Sequence, residues 1–147
     1  MWKNMIFSGL CLALAGCLEP VEEIFGDERI DHGGGVDSEI EALSPVVCMA
    51  GAGQIQVAWF DDRDGTRGIW FNRSLDGGAS WMPADIRLDT AEADVADAIA
   101  PSIACTGDRV YVAWEDRRDG ELDNANIYFN MSTDLGLTWL SEDVPLD

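Results

Sequence analysis

Residues 74–81 read SLDGGASW and residues 132–139 read STDLGLTW, two copies of the pattern Ser-x-Asp-x-Gly-x-x-Trp that lie 58 positions apart. Each copy follows an aromatic-Phe-Asn run, at residues 70–72 and 128–130. A period of this length indicates a repeat architecture, in which each unit has the same fold. The fixed residues are Ser74, Asp76, Gly78 and Trp81 in the first copy, and Ser132, Asp134, Gly136 and Trp139 in the second.

The sequence around the motif repeats as well. Residues 45–51 match 101–107, and residues 55–61 match 110–116, with an offset that drifts between 55 and 58. The segments are rich in Val, Ile and aromatic residues and are bounded by Gly, Asp, Asn and Pro, which predicts four short strands in each unit. We expect strands near 45–50, 54–61, 68–73 and 79–84, and near 101–106, 109–116, 126–131 and 137–141. Residues 90–100 could form at most one turn of helix.

The motif predicts a hairpin turn between the third and fourth strands of each unit. Asp76 and Asp134 can accept backbone N–H bonds from two residues further on. Gly78 and Gly136 can supply a positive φ. The Trp residue that ends each copy would re-enter the sheet and cover the turn. All four residue types are explained by structure, so the motif needs no substrate.

This repeat resembles the Asp box, or bacterial neuraminidase repeat, of sialidase-like β-propellers, and the resemblance extends over residues 43–147. It implies an all-β fold of two four-stranded antiparallel blades, residues 42–89 and 90–147, each with one Asp box. Propellers usually close with roughly four to eight blades, so the propeller is incomplete as it stands. We therefore expect the N-terminal portion of a larger propeller, or a chain that assembles with other blades or copies.

The start of the chain resembles a bacterial lipoprotein signal, residues 1–16, with Lys3, an apolar run and a lipobox-like Leu-Ala-Gly-Cys. The resemblance implies a lipid on Cys17, which would anchor the protein in the bacterial cell envelope. Leu18 in place of Asp favours the outer membrane or the cell surface. An ordinary secretory signal with a chance Cys is the alternative. Residues 17–41 are predicted to be an acidic flexible tether in which His32 is solvated.

Charge and cysteine content narrow the function further. Cleavage before Cys17 would leave 28 acidic residues against 8 Arg, a balance that excludes binding to a nucleic-acid backbone. Cys48 and Cys105 would remain, one in each first strand. Outside the cytoplasm they could form a disulfide. They occupy slightly different repeat positions on strands expected to be well buried, so the sequence favours two free thiols.

Polar residues concentrate in the loops that the blade model places at the end opposite the Asp boxes. This candidate ligand face contains Asp61, Asp62, Arg63, Asp64, Asp116, Arg117, Arg118, Asp119 and Asp123. Carboxylates at this spacing could bind Ca²⁺, the one cofactor that the sequence suggests. The neighbouring Arg residues favour hairpin turns with local Asp–Arg pairs instead.

The family resemblance implies what a sialidase would need: three Arg for the sugar carboxylate, a Tyr nucleophile with a Glu partner, and an Asp acid. Tyr111 and Tyr128 both occupy ordinary repeat positions, and residues 29–31 depart from the Arg-Ile-Pro motif of the family. We therefore assign no catalytic residue. We expect a lipid-anchored propeller segment that binds glycans or proteins and is not catalytic alone. The alternatives are an N-terminal fragment of an exo-α-sialidase whose catalytic blades are missing, and a remnant without function.

Overall fold

The computed structural model describes residues 29–32, 41–92, 97–118 and 125–146. Two four-stranded antiparallel sheets account for the regular structure, and within each sheet the strands are adjacent in chain order. The first sheet contains β1 (Leu43–Gly51), β2 (Gln54–Asp61), β3 (Gly68–Ser74) and β4 (Ile86–Arg87), and the second contains β5 (Ala98–Thr106), β6 (Arg109–Asp116), β7 (Asn126–Ser132) and β8 (Val144–Pro145). These ranges contain no helix, so they include none that could cross a membrane. The all-β expectation is confirmed.

The fourth strands differ from the prediction. They lie at β4 and β8, which start two and three residues after the ends of the expected ranges 79–84 and 137–141. In the first sheet, the Met82 amide donates to the Arg73 carbonyl of β3 at 3.2 Å just after the motif. Pro83 follows and has no N–H to continue a ladder. The chain therefore leaves the sheet after the motif and returns only at Ile86. The run near residue 100, expected to allow a helical turn, instead begins β5 at Ala98.

The two sheets pack against each other through one face each. Along β6, Val110, Val112 and Trp114 are buried, which is the period-two pattern that the sequence shows. They share one apolar cluster with Ala58 and Phe71 of the first sheet. We call this face of the second sheet, and the equivalent face of the first sheet, the rear face; the other face of each sheet is its forward face. The contact between the forward face of the first sheet and the rear face of the second is called the joint.

A disulfide between Cys48 and Cys105 crosses the joint, with the two α-carbons 5.8 Å apart. The expectation of two free thiols is therefore wrong. The repeat offset here is 56 residues, but the cysteines are 57 residues apart. A step of one residue turns a side chain to the opposite face of a strand. Cys48 consequently lies on the forward face of β1, opposite Gln56, and Cys105 lies on the rear face of β5, opposite Val110.

The first strand of the first sheet is not buried as expected. Val47 and Met49 are 64% and 66% exposed on the rear face of β1. Their equivalents on β5, Ile103 and Cys105, are partly buried because they lie inside the joint. The difference in burial therefore follows from the neighbour that each sheet has and not from the sequence of the strand.

Candidate functional site

Each copy of the Ser-x-Asp-x-Gly-x-x-Trp motif forms a turn closed by its own side chains. The Ser74 hydroxyl donates to Asp76 at 2.7 Å and accepts from the Gly78 amide at 2.8 Å. Asp76 also accepts from the Ser80 amide at 2.8 Å, four residues away and not two as expected. The second copy repeats these contacts with the same distances among Ser132, Asp134, Gly136 and Thr138. The local sequence therefore fixes the same turn twice.

The backbone and electrostatics of the turns support a structural role. Gly78 and Gly136 have φ angles of 93° and 83°, as the sequence predicts. Hydrogen bonds from the hydroxyl and amide of Ser80 lower the pKa of Asp76 to about 2. Thr138 has the same effect on Asp134, whose pKa is also about 2. The carboxylates are therefore held in the ionised form that accepts these bonds.

The two motif Trp residues have different surroundings. The Trp139 ring packs edge-on against Phe71 of the first sheet, with centroids 4.9 Å apart, and its Nε1 donates to the Gly136 carbonyl. Trp81 is partly exposed and lines an open cavity of about 190 Å³ with Arg73 and Met82. Neither Trp is part of a strand, so neither re-enters the sheet as the sequence predicts.

The loops at the other end of the sheets hold two arginines whose side chains are largely buried. Arg63 is only 10% exposed, and its guanidinium lies 3.9 Å from the Trp70 ring centroid. It forms ion pairs with Asp61 and with Asp85, the latter at 2.7 Å. Because two carboxylates and an aromatic face already occupy this guanidinium, it contributes to the fold and is not available to a ligand.

Arg118 repeats this arrangement in the second sheet. Its guanidinium lies 4.0 Å from the Tyr128 ring centroid and pairs with Asp116 and with Asp143, the latter at 2.8 Å. Asp116 also accepts from the indole of Trp114, as Asp61 does from Trp59. The predicted pairing of loop Asp and Arg residues is therefore confirmed for Asp61–Arg63 and Asp116–Arg118.

Asp85 and Asp143 were missed by the sequence interpretation. The Asp85 side chain is fully buried and accepts from Arg63 and from the Asn72 amide, at 2.7 and 2.8 Å. Burial raises the pKa of Asp85, but the hydrogen bonds that it accepts outweigh this effect and hold the pKa below its ordinary value. A signal was present, since Asp85 and Asp143 both lie four residues after the motif Trp.

Residues 29–32 attach to this network. The amide and the ring Nδ1 of His32 contact the two carboxylate oxygens of Asp85 at 2.7 and 2.8 Å. The Asn72 amide donates to the Ile30 carbonyl at 3.4 Å. The His32 side chain is 42% exposed, so it reaches solvent as expected, but its position is set by a buried carboxylate and not by the composition of its own segment.

The link between the two sheets makes the same contacts one repeat later. The Thr90 amide donates to Asp143 at 2.8 Å, and Asn130 donates to the Leu88 carbonyl at 3.3 Å. Arg87 pairs with Asp89 as Arg29 pairs with Asp31. Each residue of 29–32 lies 58 positions before its equivalent, so the repeat extends back to Arg29.

The remaining residues of the candidate ligand face are closer to solvent. Asp62 and Asp64 are exposed, Asp64 accepts from Arg87 at 3.2 Å, and Arg117 lies 3.5 Å from Asp97. A cavity of about 200 Å³ opens at this end of the first sheet, and its lining includes Glu41, Leu43, Phe60, Asp61, Asp62 and Arg67. Asp119, Asp123 and the predicted lipidation site Cys17 lie outside the described residues.

The described residues include no group of three or more His, Cys, Asp or Glu side chains that could hold a metal ion. The oxygens of Asp61 and Asp116 accept from Arg and Trp side chains instead. Since Asp119 and Asp123 lie outside these ranges, calcium binding stays a prediction.

Comparison with known proteins identifies no relative. No protein-family model matches the chain, and no curated protein or solved structure matches it either.

Proposed function

We propose that this chain is a lipid-anchored segment of a sialidase-like β-propeller that binds glycans or proteins and is not catalytic alone. Two observations support the propeller assignment. Each sheet has four antiparallel strands in chain order, and each carries an Asp-box turn with the same hydrogen bonds. This combination is what the family resemblance implies for a blade.

The observation that carries the non-catalytic assignment is the burial of Arg63 between Trp70 and two carboxylates. A sialidase would use an arginine on this face to hold the carboxylate of its sugar. Arg63 and its equivalent Arg118 instead neutralise Asp85 and Asp143 within the protein. The Tyr128 ring is covered by Arg118 and lies within β7, which does not suit a nucleophile.

The cavity beside Phe60 is the place where we expect a ligand. It combines an apolar surface, from Leu43 and Phe60, with the polar groups of Asp62 and Arg67. Sugars are bound by this combination, because their C–H faces pack on apolar groups while hydroxyls bond to charged side chains. The Arg67 guanidinium pairs with Asp97 and is 44% exposed, so it stays within reach of a ligand.

A glycan array probed with the full chain tests this assignment. Binding that is lost in Asp62→Ala and Arg67→Ala and kept in Leu75→Ala would support it, since Leu75 lies in the first Asp-box turn. Equal binding by the unmodified protein and all three variants would show that the cavity is not the binding site. A fluorogenic sialoside tests the alternative of an exo-α-sialidase fragment. Turnover that disappears in Tyr111→Phe or Tyr128→Phe would overturn the non-catalytic assignment.

The membrane anchor is tested separately. Expression of the full chain in a bacterial host should place it in the membrane fraction, with the outer membrane favoured. Cys17→Ser should release it into the soluble fraction, because the acylated thiol is the anchor in the lipoprotein family. Cys11→Ser is the matched control and should leave fractionation unchanged. Membrane association that survives Cys17→Ser would refute the lipid anchor.

A further inference from the structure

The joint between the two sheets has a specific fit at Phe71. An added Cβ on Gly136 would collide with the Phe71 ring, so a glycine is required there for space as well as for its φ of 83°. Trp139 covers the ring edge-on. Arg73 completes the fit by donating to the Leu135 carbonyl at 2.6 Å. A ring on the forward face thus occupies the space left by the Asp-box glycine of the following sheet.

The two parts of this contact, the aromatic ring and the glycine with its Trp, recur on the two sheet faces that lie outside the joint. Phe129 is the equivalent of Phe71 and lies on the forward face of the second sheet, opposite Ala113. Gly78 and Trp81 are the equivalents of Gly136 and Trp139. A Cβ on Gly78 would meet, among the described residues, only Ile55 at 3.7 Å, so the space that Phe71 fills at Gly136 is open here.

The rear face of the first sheet also has the apolar surface that the joint requires. Val47 and Met49 are 64% and 66% exposed there. Their equivalents, Ile103 and Cys105, pack against the cluster of the joint. On the opposing surface, the forward face of the second sheet, Tyr111 stacks with Phe129 with centroids 6.2 Å apart. The two outer faces therefore have the same complementary parts as the two inner ones.

We infer that a second copy of this chain docks head to tail on the first and repeats the joint. The forward face of the second sheet of one copy packs on the rear face of the first sheet of the next. Phe129 of one copy fills the space at Gly78 of the next and lies against its Trp81. This inference rests on the blade architecture within the proposed function and is independent of the ligand.

Residues 29–32 supply the remaining element of the joint between copies. In the joint within the chain, Leu88 is 1% exposed and its carbonyl accepts from Asn130. Ile30 makes the equivalent contact with Asn72, so the receiving copy fills this position itself. Leu146, the equivalent of Leu88 in the incoming copy, is 59% exposed and stays outside the contact.

The contact uses different surfaces on the two copies, so it propagates until the assembly closes. Head-to-tail interfaces give a ring when the rotation between units closes and a filament when it does not. The described residues of each copy form two sheets, so a ring of roughly four to eight such sheets would take about two to four copies. Apolar sheet faces of this kind rarely stay exposed in soluble proteins.

Engineered cysteines test the inference at residue level. Ala104 is the equivalent of Cys48, and Met49 is the equivalent of Cys105; both are exposed, so substitution leaves the fold intact. Two full chains are prepared, one with Ala104→Cys and one with Met49→Cys, each with Cys11→Ser and Cys17→Ser. We expect rapid disulfide formation between residues 104 and 49 when the two proteins are mixed under mild oxidation, read by mass spectrometry of the linked peptides.

Two further variants measure the contact without a crosslink. Phe129→Asp should weaken self-association by roughly tenfold or more in sedimentation velocity, because it removes the ring at the centre of the contact. Leu75→Asp is the control, since its equivalent Thr133 stays exposed beside the joint. A monomer at all concentrations, with no 104–49 link although both thiols react with maleimide, would overturn the inference. Links only between identical variants would overturn the head-to-tail geometry, while glycan binding could persist in either case.

Discussion

Gln56 and Tyr111 occupy the same position of the repeat, yet Gln56 is completely buried and Tyr111 is partly exposed. Gln56 lies on the forward face inside the joint, while Tyr111 lies on the forward face of the second sheet, against which no other described sheet packs. The amide nitrogen and oxygen of Gln56 have no hydrogen-bond partner among the described residues. The joint therefore includes a buried amide that opposes its stability.

Gln56→Met should stabilise the protein, since it replaces an unsatisfied buried amide with an apolar group of similar shape. We expect the free energy of unfolding to rise by about 1 kcal/mol. Chemical denaturation of the two proteins measures the difference. Tyr111→Phe at the equivalent position is the control and should change stability by less than about 0.5 kcal/mol. A less stable Gln56→Met protein would show that an ordered water satisfies the amide.

Gly136→Ala should cost more stability than Gly78→Ala, although both residues have φ angles near 90°. Gly78→Ala should lower the free energy of unfolding by about 1 kcal/mol through left-handed backbone strain. Gly136→Ala adds a collision with Phe71, which we expect to cost about 2 kcal/mol more. Denaturation midpoints at low protein concentration measure both changes. Equal costs would mean that Phe71 moves aside without penalty.

Asp85→Asn should destabilise the protein by about 3 kcal/mol, because it leaves the buried guanidinium of Arg63 with one fewer charged partner. Asp85→Ala, which removes the acceptor altogether, should accelerate hydrogen exchange at the His32 amide, which donates to Asp85. Asp62→Asn is the matched control at an exposed carboxylate and should alter stability by less than about 0.5 kcal/mol. An unchanged exchange rate at His32 would contradict the contact between residues 29–32 and the first sheet.

Loss of the disulfide should also be costly. Replacing Cys48 and Cys105 by Ser opens a loop that spans 57 residues, for which chain entropy gives about 4 kcal/mol. Thermal unfolding with and without reductant measures the same quantity in the unmodified chain. A melting temperature that does not respond to reductant would mean that the thiols are not joined in solution.

The carboxylates of Asp76 and Asp134 in the two motif turns should respond to acid in a specific way. The pKa of Asp76 is about 2 in the folded protein, below its ordinary value of 3.8, because Ser80 donates to the ionised form. The stabilising contribution of the two motif carboxylates is therefore complete above pH 3.8 and is lost as the pH falls through about 2. Carbon-13 NMR of the Asp76 and Asp134 carboxyls should show midpoints near 2. Midpoints near 3.8 would indicate that the turns do not hold their serine bonds in solution.

The sequence predicted most of the fold because most of it is determined locally. The alternation in β6 and the turn chemistry of Gly78 and Gly136 act within a few residues, and both were confirmed. The predicted ranges of the fourth strands were wrong because the path of the chain after the motif depends on Asn72. The Asn72 side chain accepts a hydrogen bond from the Met82 amide, ten residues away. Local β-propensity does not include this contact.

The candidate site was predicted less completely, since its key contacts connect distant parts of the chain. The pairing of Asp61 with Arg63 was foreseen, because the residues are neighbours. The second carboxylate that pairs with Arg63, Asp85, was not predicted, although Asp143 lies at the equivalent position of the second repeat and pairs with Arg118. The disulfide was not expected, because the repeat positions of the two cysteines differ by one residue. The same one-residue difference places the two cysteines on the facing surfaces of the two sheets.

The extension of the repeat to Arg29 has a practical consequence for trimming the protein. A chain shortened to begin at Leu43 would keep every strand of both sheets and would pass any test based on strand content. It would nevertheless lose the donors that His32 provides to Asp85 and the carbonyl that Ile30 provides to Asn72. We therefore expect the shortest stable segment to begin at Arg29, in the last strand position of a repeat, and not at the first strand of a sheet.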